Sequence, residues 1–297
     1  RCSHRGSTSL EQQCPWSPRH GALLQGRAQD RTHAGVLRPT DDPGTALVPP
    51  APRLASFVRH YWISSNAEAT QHVIVPDGCL DLVVETSHSG ADLWLYGTTT
   101  RRSKVSIRPQ HLYVGVRFQP GQGRHFFRSA ARELTDTRVR LDVDHWAPIC
   151  DRLTRGGLDD LAIGRGFDQL LSEQLRQRPP ERSSVDQALR TIVDRRGPVR
   201  VEELARSTGI GRRQLERLFL EQVGVSPKTY LKIVRARRVL DALFRRPTSS
   251  LSALAAELGY ADQSHMSREL RELLGAPPGR LRAKGVAFVQ DPSALAP

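Results

Sequence analysis

The sequence has few of the residues that indicate a zinc ribbon, a redox site or a membrane span. Its four cysteines are Cys2, Cys14, Cys79 and Cys150, and no pair has CxxC spacing, which argues against zinc-ribbon and thiol redox motifs. No apolar run approaches the ~20 residues of a membrane helix, and no signal-peptide core stands near the start. We therefore expect a cytoplasmic protein in which Cys79 and Cys150 are buried thiols.

Signatures of enzymes and metal sites are also missing. There is no GxSxG, HExxH or phosphate-loop motif, and a single histidine in a β-rich segment is more often structural than catalytic. A set near the start fits no familiar zinc spacing: Cys2, His4, Cys14 and His20. Five histidines of the β-rich part are scattered: His60, His72, His88, His111 and His125. The sequence predicts neither an enzyme nor a cofactor or metal.

Lysine is scarce, and the positive charge is carried almost entirely by arginine. Lysine occurs only at positions 104, 228, 232 and 284, although the formal net charge is +13 and the pI is near 10.5. Residues 182–285 hold 21 Lys+Arg against 11 Asp+Glu, so about a third of the chain carries most of the excess. Such a segment favours a polyanionic partner.

One segment of the basic region occurs twice. Residues 204–227 and 254–278 share apolar, glycine and proline positions that lie 50 or 51 residues apart. The pairs are Leu204/Leu254, Ala205/Ala255, Gly209/Gly259, Leu215/Met266, Phe219/Leu270, Gly224/Gly275 and Pro227/Pro278. Each copy predicts a short helix, a glycine turn and an amphipathic helix, which is the outline of a helix-turn-helix.

The pattern along the chain predicts an α+β protein. Residues 1–45 have no sustained apolar period, and we expect a disordered extension. Residues 46–176 contain short β-runs and a helical stretch at 146–176, which predicts a barrel- or sandwich-like domain. A linker at 177–184, an all-α domain at 185–284 and a tail at 285–297 follow. The all-α domain consists of two helix-turn-helix units joined by a long helix that begins at Ser226-Pro227.

The all-α part resembles the DNA-binding domain of AraC-type transcription regulators. The matching motifs are R-x-L-x-R-L-F at 213–219, G-V-S-P-x-x-Y-L at 224–231, Arg235, A-x-x-x-G-Y-x-D-Q-S at 255–264, and Ser267-Arg268. Three kinds of position depart from the family pattern: Gly211 replaces a Ser or Thr cap, Met266 and Leu270 replace two phenylalanines, and Ala236 replaces a larger apolar residue. The resemblance therefore holds better for the first copy than for the second.

The outward positions of the second helix in each copy are the candidate DNA contacts. Arginine can bind guanine in bidentate fashion and glutamine can read adenine, whereas Arg and Ser can also bind phosphate. Helical spacing and the resemblance together indicate Arg212, Arg213, Glu216, Arg217, Gln263, Ser264, His265 and Arg268.

The β-rich part resembles a poorly characterised domain found in front of AraC-type units. The matching runs are 75–84, 114–127, 133–139 and 145–146, and the resemblance implies a sensing or dimerising role. Asp77, Asp81 and Arg117 are the charged residues of these motifs and the candidate ligand contacts. In the alternative interpretation, Asp77 shapes a turn and Asp81 pairs with Arg117.

Together these patterns predict a sequence-specific regulator of transcription whose activity responds to an effector in the first domain. Double-stranded DNA is the expected partner; RNA polymerase, a small-molecule effector and a second copy of the chain are further candidates, and no membrane partner is expected. Two alternatives remain open. The first domain could serve assembly alone, and the basic region could be a helical bundle with a solvated arginine face.

Overall fold

The structure is a computed structural model that describes residues 45–65, 68–87, 90–195 and 197–284. The predictions for residues 1–44 and for the tail at 285–297 lie outside this part, as do Cys2, His4, Cys14, His20 and His88. Thr45, which we assigned to the extension, instead begins the first strand.

The first half of the described chain contains one large antiparallel sheet and a separate two-stranded ribbon. The sheet has the order β1-β2-β7-β4-β5-β8, and the ribbon pairs β3 with β6. The strands are β1 (Thr45–Val48), β2 (Val58–Ser65), β3 (Thr70–Ile74), β4 (Asp81–Ser87), β5 (Gly90–Tyr96), β6 (Ser103–Ile107), β7 (Leu112–Phe118) and β8 (Arg138–Arg140). The predicted turn at Asp77-Gly78 joins the ribbon to the sheet.

Alternation along the strands gives the sheet two different faces. In β4, Leu82 and Val84 face a core of aliphatic and aromatic side chains, whereas Val83 faces the ribbon. Helices α1 (Ala147–Arg155) and α2 (Asp160–Gln177) cover the first face. The helical stretch predicted at 146–176 is thus two helices, interrupted at Gly156-Gly157.

The second half is helical and has a core of its own. The helices are α3 (Ser184–Asp194), α4 (Val201–Thr208), α5 (Arg212–Gln222), α6 (Pro227–Arg245), α7 (Leu251–Glu257), α8 (Gln263–Leu274) and α9 (Pro278–Lys284). Within the described residues, no helix is both long and apolar enough to cross a membrane. The long helix α6 lies between the pairs α4–α5 and α7–α8, as the repeat predicts.

The duplicated glycines are required by backbone conformation. Gly209 and Gly259 both follow the first helix of their copy and have φ of 68° and 76°, a region that other residues adopt at a cost. A Cβ atom on Gly259 would also approach Pro198 Cβ to 2.8 Å. The fold therefore explains why glycine recurs at the same place in both copies.

The sheet domain contacts both copies of the repeat. Thr98 Oγ1 donates to the Val223 carbonyl (2.6 Å) and Thr135 Oγ1 to the Gly224 carbonyl (2.7 Å), at the end of α5. Arg102 N–H donates to the Leu273 carbonyl (2.8 Å), at the end of α8.

Further contacts involve α3 and α6. Arg124 binds both carboxylate oxygens of Asp186 at 2.9 and 2.7 Å, and the Tyr230 ring packs against Gly78, where a Cβ atom would lie 2.4 Å from Cε2. The two parts are thus held by hydrogen bonds, an ion pair and close packing.

Candidate nucleic-acid interface

The second helix of each repeat, α5 and α8, presents most of the candidate DNA contacts to solvent. On α5, Arg212, Arg213 and Arg217 are exposed and Glu216 is half-buried. The opposite face is anchored by Leu215 and Phe219, both fully buried. The amphipathic pattern therefore directs three guanidinium groups away from the core.

The three arginines of α5 differ in their partners. Arg212 donates to Glu202 Oε1 (2.9 Å) and Glu216 Oε1 (3.0 Å), and hydrogen bonding to Glu216 raises the pKa of its guanidinium. Arg217 lies 3.5 Å from Glu221. Arg213 makes no ion pair with the residues that the structure describes. Arg213 and Arg217 are thus more available to a ligand than Arg212.

Helix α8, the second helix of the second copy, carries a more neutral surface. Gln263, Ser264 and Arg268 are exposed, and His265 is half-buried. Asp262 caps α8 by accepting from His265 N–H (2.7 Å), and this hydrogen bond lowers the pKa of its carboxyl. Gly211, at the equivalent position of the first copy, offers no side-chain cap. Helix α8, which has the side-chain cap, therefore carries less exposed positive charge than α5.

A buried ionic network fixes the second unit to α6, and sequence reasoning did not predict it. Arg235 donates to both carboxylate oxygens of Glu269 (3.0 and 2.6 Å). Its guanidinium lies 4.2 Å from the centre of the Tyr260 ring. Tyr260 also donates to Glu269 (2.9 Å). Since Glu269 is 4% exposed, this geometry specifies how α8 sits on α6.

A basic cleft of about 560 Å³ lies between the two units. Arg212 at the start of α5 and His265 near the start of α8 line it, and so do Lys228 and Lys232 of α6. These two lysines stand one helical turn apart and are half of the lysines in the chain. Their spacing was the signal that could have identified this surface from the sequence.

The candidate ligand contacts form one group, in which Asp77 and Arg117 are buried and Asp81 is half-buried. Arg117 binds Asp81 with Nε (3.0 Å) and Nη2 (2.8 Å), and its Nη1 lies 3.4 Å from Asp77. Asp77 Oδ1 accepts from Cys79 N–H (3.0 Å). Both features of the alternative interpretation, a turn and a pair, are therefore present in the structure.

Charges from both halves of the chain surround Asp77. Burial alone would raise its pKa, but the guanidinium groups of Arg117, Arg237 and Arg59 lower it. Burial also raises the pKa of the Cys79 thiol to about 12, and Cys79 and Cys150 are both buried free thiols. Arg237 belongs to α6, so Asp77 lies where the sheet domain meets the helical part.

Comparison with known proteins agrees with this geometry. Residues 204–284 match the family described as a helix-turn-helix domain. A segment of 84 residues is 36% identical to the HTH-type transcriptional regulator GbdR of Pseudomonas aeruginosa; it covers 27% of this chain and 22% of that protein. The carboxy-terminal domain is an AraC-type helix-turn-helix domain.

Two solved structures are similar to this chain at low TM-scores. An AraC-type regulator from Chromobacterium violaceum is 25% identical over 34% of this chain and 90% of its own, with a TM-score of 0.32. ToxT from Vibrio cholerae is 12% identical over 78% of this chain and all of its own, with a TM-score of 0.39. At such TM-scores neither similarity bears on function. Residues 46–140 match a family described as a domain of unknown function (DUF6597).

The AraC-type domain accommodates the departures noted in the second copy. Met266 and Leu270 are both fully buried, and Ala236 is 1% exposed. Unbranched methionine can fill an irregular gap, so the core closes without the two phenylalanines. Helix α8 is thus supported by aliphatic packing and by the Arg235–Glu269 pair.

Proposed function

We propose that the protein is a sequence-specific DNA-binding regulator of transcription. The observation that carries this proposal is the cleft between the units, because the starts of both reading helices border it together with two lysines of α6. In helix-turn-helix proteins, side chains near the start of the reading helix contact base edges. The partial match to GbdR, a transcriptional regulator by name, supports the same function.

The two units would read adjacent major-groove segments of double-stranded DNA. Arg213 and Arg217 of the first unit and Gln263, Ser264 and Arg268 of the second are exposed in positions that suit base or phosphate contacts. Lys228 and Lys232 would bind the phosphates between the two segments. Arg212 and Glu216 would position one another. His265, near the start of α8, would contact the DNA backbone.

The chain would work as two domains, 46–176 and 185–284, joined at 177–184. The first domain would tune DNA binding in response to an effector, with Asp77, Asp81 and Arg117 in the wall of its site. Assembly of two copies through the first domain is the second candidate role, and RNA polymerase is the expected partner in transcription. Direct contacts between the sheet and both reading helices favour the tuning role.

Enrichment of genomic fragments on the purified protein, followed by sequencing, tests the proposal. We expect a small set of fragments with a shared motif, each bound at least ~10³-fold more tightly than random DNA at physiological salt. Equal affinity for all fragments, with only a steep salt dependence, would rule out sequence specificity. The symmetry of the motif would also report whether one or two copies bind.

A further inference from the structure

A cavity of about 380 Å³ lies between the large sheet and the β3–β6 ribbon. Its size falls in the range of small-molecule sites. Trp62, Val83 and Tyr113 of the sheet form one side, and Val105 and Ile107 of β6 form the other. The walls are thus mainly apolar and aromatic.

The charged groups deepest in the cavity wall, Asp77, Asp81 and Arg117, are already paired with one another, whereas the exposed Arg138 donates to Tyr96 Oη (2.5 Å) and lies over the Trp94 ring. Asp81 accepts from Arg117 (2.8 Å) and from Trp62 Nε1 (3.2 Å), and Asp77 lies 3.4 Å from Arg117. A charged ligand that entered would lose its hydration without gaining a free buried counter-ion. The chemistry therefore favours an uncharged, mainly apolar molecule.

The loop at 97–102 forms part of this wall and also contacts both reading helices. Gly97 and Thr99 line the cavity, whereas Thr98 between them donates to Val223 at the end of α5 (2.6 Å). Arg102 donates to Leu273 at the end of α8 (2.8 Å). One short loop thus joins the cavity to the ends of the two helices that face DNA.

A second segment reinforces the connection. Asp136 lines the cavity, and its carboxylate accepts from Thr100 N–H (2.7 Å) and Thr100 Oγ1 (2.5 Å). The adjacent Thr135 donates to Gly224 (2.7 Å). A displacement of the wall would therefore reach α5 through two hydrogen bonds and α8 through one.

We propose that this cavity binds an uncharged, mainly apolar small molecule and that loop 97–102 transmits its binding to both reading helices. The ligand part specifies the chemistry of the proposed effector site and can be tested without DNA. The coupling part rests on the proposed DNA-binding function. A ligand alters DNA affinity only if it binds the DNA-competent arrangement differently from the alternative. The loop supplies the structural difference by setting the separation of α5 and α8.

The ligand part is tested on the full chain with two matched fluorescent probes. N-phenyl-1-naphthylamine is neutral and apolar, and 8-anilino-1-naphthalenesulfonate adds a sulfonate to the same rings. We expect saturable binding of the neutral probe, at least tenfold tighter than that of the sulfonate. Val105→Trp should fill the cavity and weaken this binding at least tenfold, whereas Ser106→Trp, on the neighbouring exposed residue of β6, should leave it unchanged.

The coupling part is tested by measuring DNA affinity with and without the neutral probe. We expect at least a threefold change in Kd for an enriched fragment in the wild type and in Thr154→Val, which loses a hydroxyl-to-carbonyl bond in α1. In Thr98→Val, which removes one of the two hydrogen bonds to the end of α5, the probe should still bind while the change in Kd becomes smaller than in the wild type. Circular dichroism would confirm that each variant folds.

The outcomes separate this inference from the proposed function. Absence of saturable probe binding, or equal binding to Val105→Trp, would overturn the ligand site even if specific DNA binding were found. Probe binding without any change in Kd, or a change as large in Thr98→Val as in the wild type, would overturn the coupling. Failure of all DNA binding would refute the proposed function and with it the coupling, while leaving the probe measurements decisive for the cavity.

Discussion

At the scale of residues, the outward arginines of the reading helices are distinguished by their neighbours. Arg212 is held between two carboxylates, whereas Arg217 has one more distant partner, and Arg268 forms no ion pair with the described residues. A guanidinium already bound to carboxylates must give up those partners before it binds a base. Sequence spacing placed these side chains on one face but could not rank them.

Arg217→Ala should weaken binding to the preferred DNA site by about 1–3 kcal/mol if this side chain reads a base. The first unit carries more exposed positive charge, so Arg268→Ala should cost less. Equilibrium binding to the preferred and to a scrambled fragment measures both effects. An equal loss on all sequences would make Arg217 a phosphate contact, and a larger loss for Arg268 would reverse the ranking of the units.

His125 should make stability depend on pH between about 4 and 6.5. Burial and the neighbouring Arg124 lower its pKa to about 4, so the unfolded chain binds a proton in this window and the folded chain does not. The contribution to stability is complete above pH 6.5 and is lost as the pH falls towards 4.

Urea unfolding of the wild type and of His125→Phe at pH 7 and pH 5 measures this contribution. Phenylalanine keeps the edge-on ring contact with Phe57 but does not titrate. The wild type should lose more stability between the two pH values than the variant. If the wild type and the variant lose the same stability between pH 7 and pH 5, the pH dependence arises from another group. His60 is one such group, because burial lowers its pKa too.

At the scale of elements, the linker helix α6 has two roles. Its buried side faces both units, and its exposed Lys228 and half-buried Lys232 line the cleft. The sequence predicted its bounds well because Ser226 caps it and Pro227 fits the first turn. It could not predict the Arg235–Glu269 pair, because that contact joins residues 34 positions apart.

Lys228→Ala combined with Lys232→Ala should reduce the salt dependence of DNA binding. Each phosphate contact contributes about −0.9 to the slope of log K against log salt, so the slope should fall in magnitude by about 1–2. Affinity should fall to a similar extent on all sequences. Lys104→Ala is the control, because it also removes a lysine but lies in the ribbon; its slope should not change. An unchanged slope in the double variant would show that these two lysines of α6 do not contact DNA.

The sequence also predicted some strands and missed others. Short β6 and β8 escaped prediction because β6 is largely exposed and has only two apolar residues, and β8 has three residues. The short β-runs within residues 46–176 were predicted because β-branched and aromatic residues cluster there. The cavity itself depends on the pairing of β3 with β6, whose partner residues lie 29 to 37 positions apart, and a local pattern does not encode such a pairing.

At the scale of the whole molecule, α6 and the sheet domain confine the two reading helices to a narrow range of separations. Helix α6 packs between the units, and the sheet domain contacts the ends of both α5 and α8. A rigid reader of this kind should address segments about 34 Å apart on one face of the duplex.

Inserting five or ten base pairs between the two recognised segments should therefore abolish the contribution of one unit. Five base pairs turn the second segment to the opposite face, and ten move it about 34 Å along the axis. Competition binding against the unaltered site measures both. Retention of full affinity with ten added base pairs would mean that two separate chains read the segments.

The hydrogen bonds from Thr98 and Thr135 to the carbonyls of Val223 and Gly224 have a consequence for the history of such proteins. They recognise the main chain of the helical part, which every sequence with the same turn presents alike. Side chains of α5 can therefore diversify to read new DNA without disturbing these contacts. These contacts between the two domains therefore do not depend on the side chains of α5. A sheet domain of this kind could be recombined with other helix-turn-helix domains in which the helix equivalent to α5 ends in the same turn.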